Sequence, residues 1–261
     1  MRSDESILLR HDDDGIATLT LNRPAARNAL SMPLMAALID ELARISQDAS
    51  VRTVVIAANG PAFCAGHDLR EVRATPERVA YEALFARCSE MMLAVTRLPQ
   101  PVIARVHGPA SAAGCQLVAT CDLAVAADTA MFATPGVNIG LFCSTPMVAI
   151  SRNMGRKQTM EMLLTGEMME AETARAAGLV NKVVPAEALD QEVATWCRQI
   201  GSKSPLTLRI GKEAFYRQLD LPLEDAYRYA SEVMVRNMMT RDAEEGIDAF
   251  LEKRPPEWTG E

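Results

Sequence analysis

The sequence is short of histidine, of positive charge and of long apolar runs. Only three histidines occur, His11, His67 and His107, so a multi-histidine metal site is not expected and no metal is assigned. The six cysteines, Cys64, Cys88, Cys115, Cys121, Cys143 and Cys197, include no CxxC pair and no metal-binding spacing. They read as free, reduced, mostly buried thiols. A formal net charge of −7 argues against nucleic acid as a partner. No apolar stretch approaches the roughly 20 residues of a membrane span, so no membrane partner is expected either. The N-terminus carries Asp4, Glu5 and Asp12 to Asp14 where a leader would be basic. Together these absences lead to the expectation of a cytoplasmic protein. There is no low-complexity segment and no clear linear repeat.

What remains is an ordinary globular composition. The 261 residues are 49% apolar and 23% charged, enough for one large domain, or a domain with an appendage, around a sizeable core. Residues 16–21 alternate as a strand, and residues 54–57 form a continuous apolar run that reads as a buried one. Between them Ser31 and Pro33 start a helix that runs to about Gln47, with Leu34, Met35, Leu38, Ile39, Leu42 and Ile45 on one face. A loop of small residues follows at 63–69, then a helix from Pro76 to Arg97. Strand and helix alternate in the manner of an α/β domain. A strand is expected at 123–126, and residues 134–141 are rich in breakers. The pattern is mostly helical from Pro146, interrupted by a strand at 179–184 after a helix stop at Gly178. Beyond residue 200 only helices are expected. The reading is therefore a core over 1–199 and a helical region over 200–261.

The most informative stretch is 102–122. A short apolar run bounded by Pro101 and Gly108 reads as a buried strand. The turn Gly108-Pro109 leads into small residues, Ala110 to Gly114, and then into apolar residues at helical spacing. The first N–H groups of such a helix have no partner within it and lie at the positive end of its dipole. A strand feeding that helix can hold an anion or a developing oxyanion.

Four motifs coincide in order along the chain. Asn22-Arg23-Pro24 precedes Asn28-Ala29-Leu30, and Phe63-Cys64-Ala65-Gly66-His67-Asp68-Leu69 follows. Pro101-Val102-Ile103-Ala104 leads to Gly108, Ala113-Gly114-Cys115-Gln116-Leu117 and Cys121-Asp122. Phe132 and Pro135 are followed by Leu164-Thr165-Gly166, Ala176-Ala177-Gly178-Leu179-Val180 and, near the end, Glu245-Gly246 and Phe250-Leu251-Glu252-Lys253-Arg254. In this combination, over about residues 7–255, the chain resembles the enoyl-CoA hydratase/isomerase (crotonase) family. Within it, one branch shares the runs 112–119, 132–138 and 140–146.

The resemblance implies a crotonase-like spiral of ββα units with a C-terminal helical region that mediates trimers, often paired into hexamers. A homotrimer or dimer of trimers is expected. It implies an acyl-CoA thioester as substrate, with no separate cofactor because CoA is part of that substrate, and a lyase or isomerase role in fatty acid metabolism. The thioester carbonyl would be polarised by the backbone N–H groups of His67 and Ala113. Arg23, Ala25, Arg27, Ala65, Gly66, Asp68, Leu69, Gly114, Leu117, Pro135, Asn138 and Ser144 would line the substrate site. Phe250 and Lys253 would reach it from a neighbouring subunit. Asp68 is read as a cap or brace of its loop, and Cys143 as a buried inert thiol rather than a nucleophile.

The departures from the family pattern matter most. The two positions that carry glutamates in family hydratases are Gln116 and Gly136 here. Glutamine hydrogen-bonds a water but accepts no proton at neutral pH. No carboxylate lies between Gly136 and Arg156. Gly136 is a candidate for positive φ. It is also expected to leave open the space of the missing carboxylate, with room for a bulkier acyl group or a bicarbonate-like base. The readings that follow are an acyl-CoA enzyme that stabilises an enolate, its reaction open between weak hydration, double-bond isomerisation and another lyase or thioester reaction whose base comes from the substrate or a bound anion; a non-catalytic acyl-CoA binder; or an assembly subunit.

Overall fold

The computed structural model describes residues 6–261; Asp4 and Glu5 of the acidic N-terminus lie outside them. The chain opens with a hairpin of β1 (Leu8–Asp13) and β2 (Ile16–Leu21), paired antiparallel from Leu8 with Leu21 to Asp13 with Ile16. The turn is Asp14-Gly15, both at positive φ (45° and 74°), the dipeptide that tight hairpins favour. The sequence reading missed β1. It is an edge strand with His11, Asp12 and Asp13 exposed, so it carries no apolar alternation to detect.

Helix α1 (Met32–Ser46) starts where expected. The Ser31 side chain accepts from the Leu34 N–H at 3.3 Å, a standard N-cap bond. Leu34, Met35, Leu38, Leu42 and Ile45 are buried, whereas Ile39 is only partly so. Strand β3 (Thr53–Ala58) is buried on both faces. Two helices, α2 (Leu69–Ala74) and α3 (Arg78–Arg97), lead to β4 (Val102–Val106). The central stretch continues through β5 (Ala110–Ser111), α4 (Ala113–Thr120) and β6 (Leu123–Ala127). Then come β7 (Met131–Ala133), α5 (Pro146–Asn153), α6 (Arg156–Thr165), β8 (Met169–Glu170), α7 (Ala171–Ala177), β9 (Lys182–Val184) and α8 (Leu189–Gly201). Helices α9 (Pro205–Gln218), α10 (Leu223–Met238) and α11 (Arg241–Glu252) follow. The boundary drawn at 199/200 falls in the last turn of α8.

The strands form a six-stranded sheet in the order β1-β2-β3-β4-β6-β9, parallel except for β1. A parallel sheet covered on both faces needs strands that are apolar on both sides. Accordingly, Val54, Ile56, Val102 and Ala104 pack into the main core with α1, α3 and α4. The alternate residues Val55, Ala57, Ile103, Val125 and Ala127 pack on the other face against Leu189, Val193 and Cys197 of α8. A second, three-stranded sheet, β5-β7-β8, carries the segment just before α4. Its strands of two or three residues are too short to show periodicity.

The strand expected at 179–184 is confined to Lys182–Val184. Leu179 is used instead to close α7: with Gly178 at φ 90°, its N–H bonds the Ala174 carbonyl at 2.9 Å, the usual ending at a left-handed glycine. The helix expected from Pro76 begins at Arg78, and α2, only six residues long, was not anticipated.

Candidate functional site

Two loops meet at the start of α4. The first, residues 63–68, is fastened from both sides. Phe63 and Cys64 N–H both bond the Pro109 carbonyl (3.0 and 3.2 Å), Ser111 N–H bonds the Cys64 carbonyl (2.8 Å), and Ala65 N–H bonds the Arg27 carbonyl (3.0 Å). Leu30 donates to the Gly66 carbonyl (2.7 Å) and accepts from Asp68 N–H (3.2 Å). That pairing uses the neighbours of His67 and turns its own N–H the other way, as in any extended segment. Among the described residues the His67 N–H donates to no acceptor.

The second loop ends at Ala112, whose φ of 49° and ψ of −118° are rare for alanine and cost about 1–3 kcal/mol. The strain is held by β5 and by the Ala112 N–H bond to the Ala133 carbonyl (2.9 Å). It sets the direction of the next residue, Ala113, the first of α4. The Ala113 N–H also has no acceptor among the described residues. The two loops touch. Gly66 is at φ 91°, and a Cβ on it would lie 2.9 Å from Ala112 Cβ and 3.3 Å from Ala113 N. Two uncommitted backbone donors therefore sit on adjoining segments, one of them at a helix N-terminus.

His67, Gln116 and Cys143 are uncharged at neutral pH. His67 is partly buried, with both ring nitrogens enclosed and without hydrogen-bond partners. Its ring stands edge-on to Phe85, with centroids 5.6 Å apart and planes at 86°. Burial pushes the imidazole below its ordinary value, against a weaker opposing pull from the Leu30 backbone. Gln116 lies one turn beyond Ala113, is only 5% exposed, and its Oε1 is buried without a partner. Cys143 is 8% exposed and its thiol is pushed up by burial, which keeps it protonated and weakly nucleophilic at neutral pH.

Gly136 differs from the expectation in two ways. It is not at positive φ, and it leaves no open space. A Cβ on it would lie 2.4 Å from the Leu141 carbonyl oxygen and 2.8 Å from Cys143 Sγ. The cause is a 3-10 turn over Pro135–Ile139, ended by Gly140 at φ 79°, which folds the chain back so that Leu141 N–H bonds the Gly136 carbonyl at 2.9 Å. The room proposed for a bulky acyl group or a bicarbonate-like base is filled by the protein's own backbone.

The other expected residues divide into groups. Arg23 is partly engaged within the chain: its guanidinium bonds Asp68 at 2.9 Å and also the Ala29 carbonyl. Asp68 is thereby held below the usual carboxylate range, with Arg23 the main cause. Asp68 also caps α2 by accepting from Arg70 N–H at 3.1 Å, so it braces its loop as read. Ala25, Arg27, Ala65 and Leu69 are exposed around the first loop, while Gly66, Gly114 and Leu117 are buried. Pro135 is partly buried; Asn138 and Ser144 are exposed. Phe250, 82% exposed, and Lys253 lie at the end of α11, which packs against α9 and α10.

Three contributors were missed: Ala112, Phe85 and Asn28. Asn28, at φ 54° and fully buried, accepts from Arg23 N–H (2.8 Å) and donates to the Asn59 and Ala62 carbonyls (2.7 and 2.8 Å). Its signal was available, since asparagine is one of the few residues that tolerate positive φ.

The Enoyl-CoA hydratase/isomerase family matches the chain over residues 11–261, and the chain belongs to that family. The mixed α/β fold with its helical C-terminal region is the crotonase fold. Enoyl-CoA hydratase domain-containing protein 3, mitochondrial, of Rattus norvegicus is 43% identical over 257 residues, covering 98% of this chain and 86% of its own length. The crystal structure of the human protein of the same name superposes with a TM-score of 0.94 at 44% identity, covering 97% and 100% of the two chains. The enoyl-CoA hydratase structure from Mycobacterium smegmatis gives 0.95 at 56% identity, covering 97% and 99%. The branch read from the shared runs is thus the one that carries the domain-containing protein 3 name. The cytoplasmic expectation does not stand, because these vertebrate relatives are named as mitochondrial. The features it rested on, reduced thiols, no apolar run long enough to span a membrane and an acidic rather than basic N-terminus, do not discriminate between compartments.

Proposed function

We propose that the protein binds acyl-CoA thioesters and that the N–H groups of His67 and Ala113 donate to the thioester carbonyl oxygen. The observation that carries this reading is that both donors are uncommitted on touching segments, one of them aimed by the strained Ala112. Charge that develops on the oxygen as an enolate forms would be held by these donors. Removing one such donor typically costs about 3 kcal/mol of barrier.

Hydration needs more than this. Gln116 orients a water or a substrate group but takes no proton. Gly136 supplies no side chain, and the Leu141 carbonyl stands where one would begin. We therefore read the protein as an enolate-stabilising member of the family that hydrates enoyl-CoA poorly. The closed space at Gly136 also supports a second reading, an acyl-CoA binder without turnover.

Assembly enters through the C-terminal helices. Phe215, Leu219, Leu223, Tyr227, Met234 and Phe250, which could have been intrachain core, are 54% to 82% exposed. Surface this apolar argues for a partner, and we assign it to a homotrimer or a dimer of trimers, in which Phe250 and Lys253 of one copy would approach the substrate of the next. Titration calorimetry with acetyl-, butyryl- and crotonyl-CoA tests the binding. Micromolar affinity, about −8 kcal/mol, is expected, and an absence of both heat and thermal shift with all three refutes the reading.

A further inference from the structure

Helix α11 buries no large apolar side chain in full. Its two buried residues are Asp242 and Ala249, while Ile247, Phe250 and Leu251 are 45% to 82% exposed. Among the described residues, none of α9, α10 or α11 belongs to either core cluster beside the sheet. Burial of an apolar face is what normally seats a helix, so α11 is placed by something else.

Residues 254–261 place it. At Lys253, φ 58°, the chain leaves the helix, and Pro255-Pro256 cannot resume it. The segment then runs back along α11. Glu245 holds its start, accepting from Arg254 Nη1 and Nη2 (2.6 and 2.9 Å) and from the Glu257 N–H (2.8 Å). Trp258 lies over Gly246: a Cβ on that glycine would come within 3.1 and 3.2 Å of the indole ring. Glycine inside a helix ordinarily costs stability, and here it makes the seat for the ring. The indole Nε1 donates to the Ser202 carbonyl at 2.8 Å, which ties the segment to the junction between α8 and α9.

Asp242 holds the far end, and its carboxylate is 1% exposed. Its donors are neutral groups: the Thr259 N–H (2.8 Å), the Thr259 hydroxyl (3.1 Å), the Gly260 N–H (3.1 Å) and the hydroxyl of Ser204, the residue that caps α9. Three of these four donors belong to the segment. A buried charge stripped of its donors is costly, so Asp242 cannot stay buried once the segment leaves. If α11 leaves, the segment in turn loses Asp242, Glu245 and the seat at Gly246 together.

We propose that α11 and residues 254–261 form one strap, latched to the α8–α9 junction by Asp242 and Trp258, which docks and undocks as a unit while the sheet stays folded. The latch does not depend on the acyl-CoA reading. It bears on assembly because the strap carries Phe250 and Lys253, whose positions are set only when it is docked.

Hydrogen–deuterium exchange on the full chain, read by mass spectrometry, tests it. In the wild type, peptides covering 242–252 and 254–261 should agree in protection within about threefold, and both should be at least about tenfold less protected than β3 and β4. Ordinary fraying gives a gradient instead, with 254–261 exchanging far ahead of α11, and that result overturns the proposal. So does an α11 as protected as the sheet. Trp258→Ala removes the ring, and Gly246→Leu fills its seat with a better helix former. Each should lower protection over both stretches by about tenfold or more and leave β3 and β4 within about threefold of the wild type. A loss confined to 254–261, or an equal loss in the sheet, overturns the proposal. The wild-type comparison decides it even where a variant fails to fold.

Discussion

Gly114 is packed so tightly against Cys64 that a Cβ on it would lie 2.2 Å from the Cys64 carbonyl oxygen and 2.7 Å from Cys64 Cβ. This contact brings the first turn of α4 onto the loop that presents His67. The obstacle is backbone already engaged by Ser111 N–H at 2.8 Å, so it cannot turn aside as a flexible side chain could. Gly114→Ala is expected to lower stability by about 1–3 kcal/mol, the usual cost of overpacking, and to weaken acyl-CoA binding. Chemical denaturation of the variant checks it, and a change within about 0.5 kcal/mol would show that the two segments yield.

The helical region is fastened to the sheet by a second buried relationship. Lys212 of α9 is 8% exposed and pairs with Asp122 at 2.6 Å, while donating to the Val95 and Gln100 carbonyls at 3.1 and 3.0 Å. Asp122 also accepts from Tyr216 Oη (2.8 Å) and from the Val102 N–H (2.7 Å). Removing one member of a buried pair strands the other and commonly costs about 3–5 kcal/mol. Lys212→Met should therefore destabilise by an amount near that range, and Lys212→Met with Asp122→Asn by less than the sum of the two single changes. Additivity in this double-mutant cycle would show that the pair is not coupled.

His67 gives the pH prediction. Its imidazole titrates below the ordinary 6.5 because burial disfavours the charged form. Between the lowered folded value and 6.5 the unfolded chain binds more protons than the native one, so stability rises with pH across that window. As pH falls through 6.5 the native state loses ground, and the loss is complete below the folded value. Wild type should lose more stability than His67→Phe between about pH 7 and pH 5. Parallel pH profiles for the two would mean that the ring is solvated in solution.

Much of this arrangement was legible in the residues, and the remainder has identifiable causes. Ser31 before an apolar face marked α1, and continuous apolar runs marked β3, β4 and β6. The hairpin closed by Asp14-Gly15 was not read, because its first strand is too polar to show alternation. Ala112 gave no warning, because alanine reads as a helix former and its strain is imposed by β5 and the Ala133 carbonyl. Arg23 reads as a free cation until folding sets it beside Asp68, 45 positions away. The closure at Gly136 depends on a backbone carbonyl five residues on, and composition says nothing of that.

The closure decides the last prediction, which concerns crotonyl-CoA hydration. Each well-placed acid or base typically contributes ~10²–10⁴ in rate, and here one position holds an amide and the other no side chain. Wild-type turnover is expected well below the ordinary enzyme range of ~1–10³ s⁻¹, measured by loss of the enoyl absorbance. Were both positions merely vacant, restoring both carboxylates would restore activity. Gln116→Glu places a carboxyl where the amide already fits, and a gain of about tenfold or more is expected. Gly136→Glu must displace the Leu141 carbonyl and Cys143 Sγ, which approach to 2.4 and 2.8 Å of the new Cβ. It should lower stability, and the double variant should hydrate no faster than Gln116→Glu alone. A stable double variant that outpaces the single one would show that the turn at residues 135–141 opens readily. Wild-type turnover inside the ordinary range would instead require a proton acceptor other than the two replaced positions, and His67, with both ring nitrogens unpaired, would be the first to substitute.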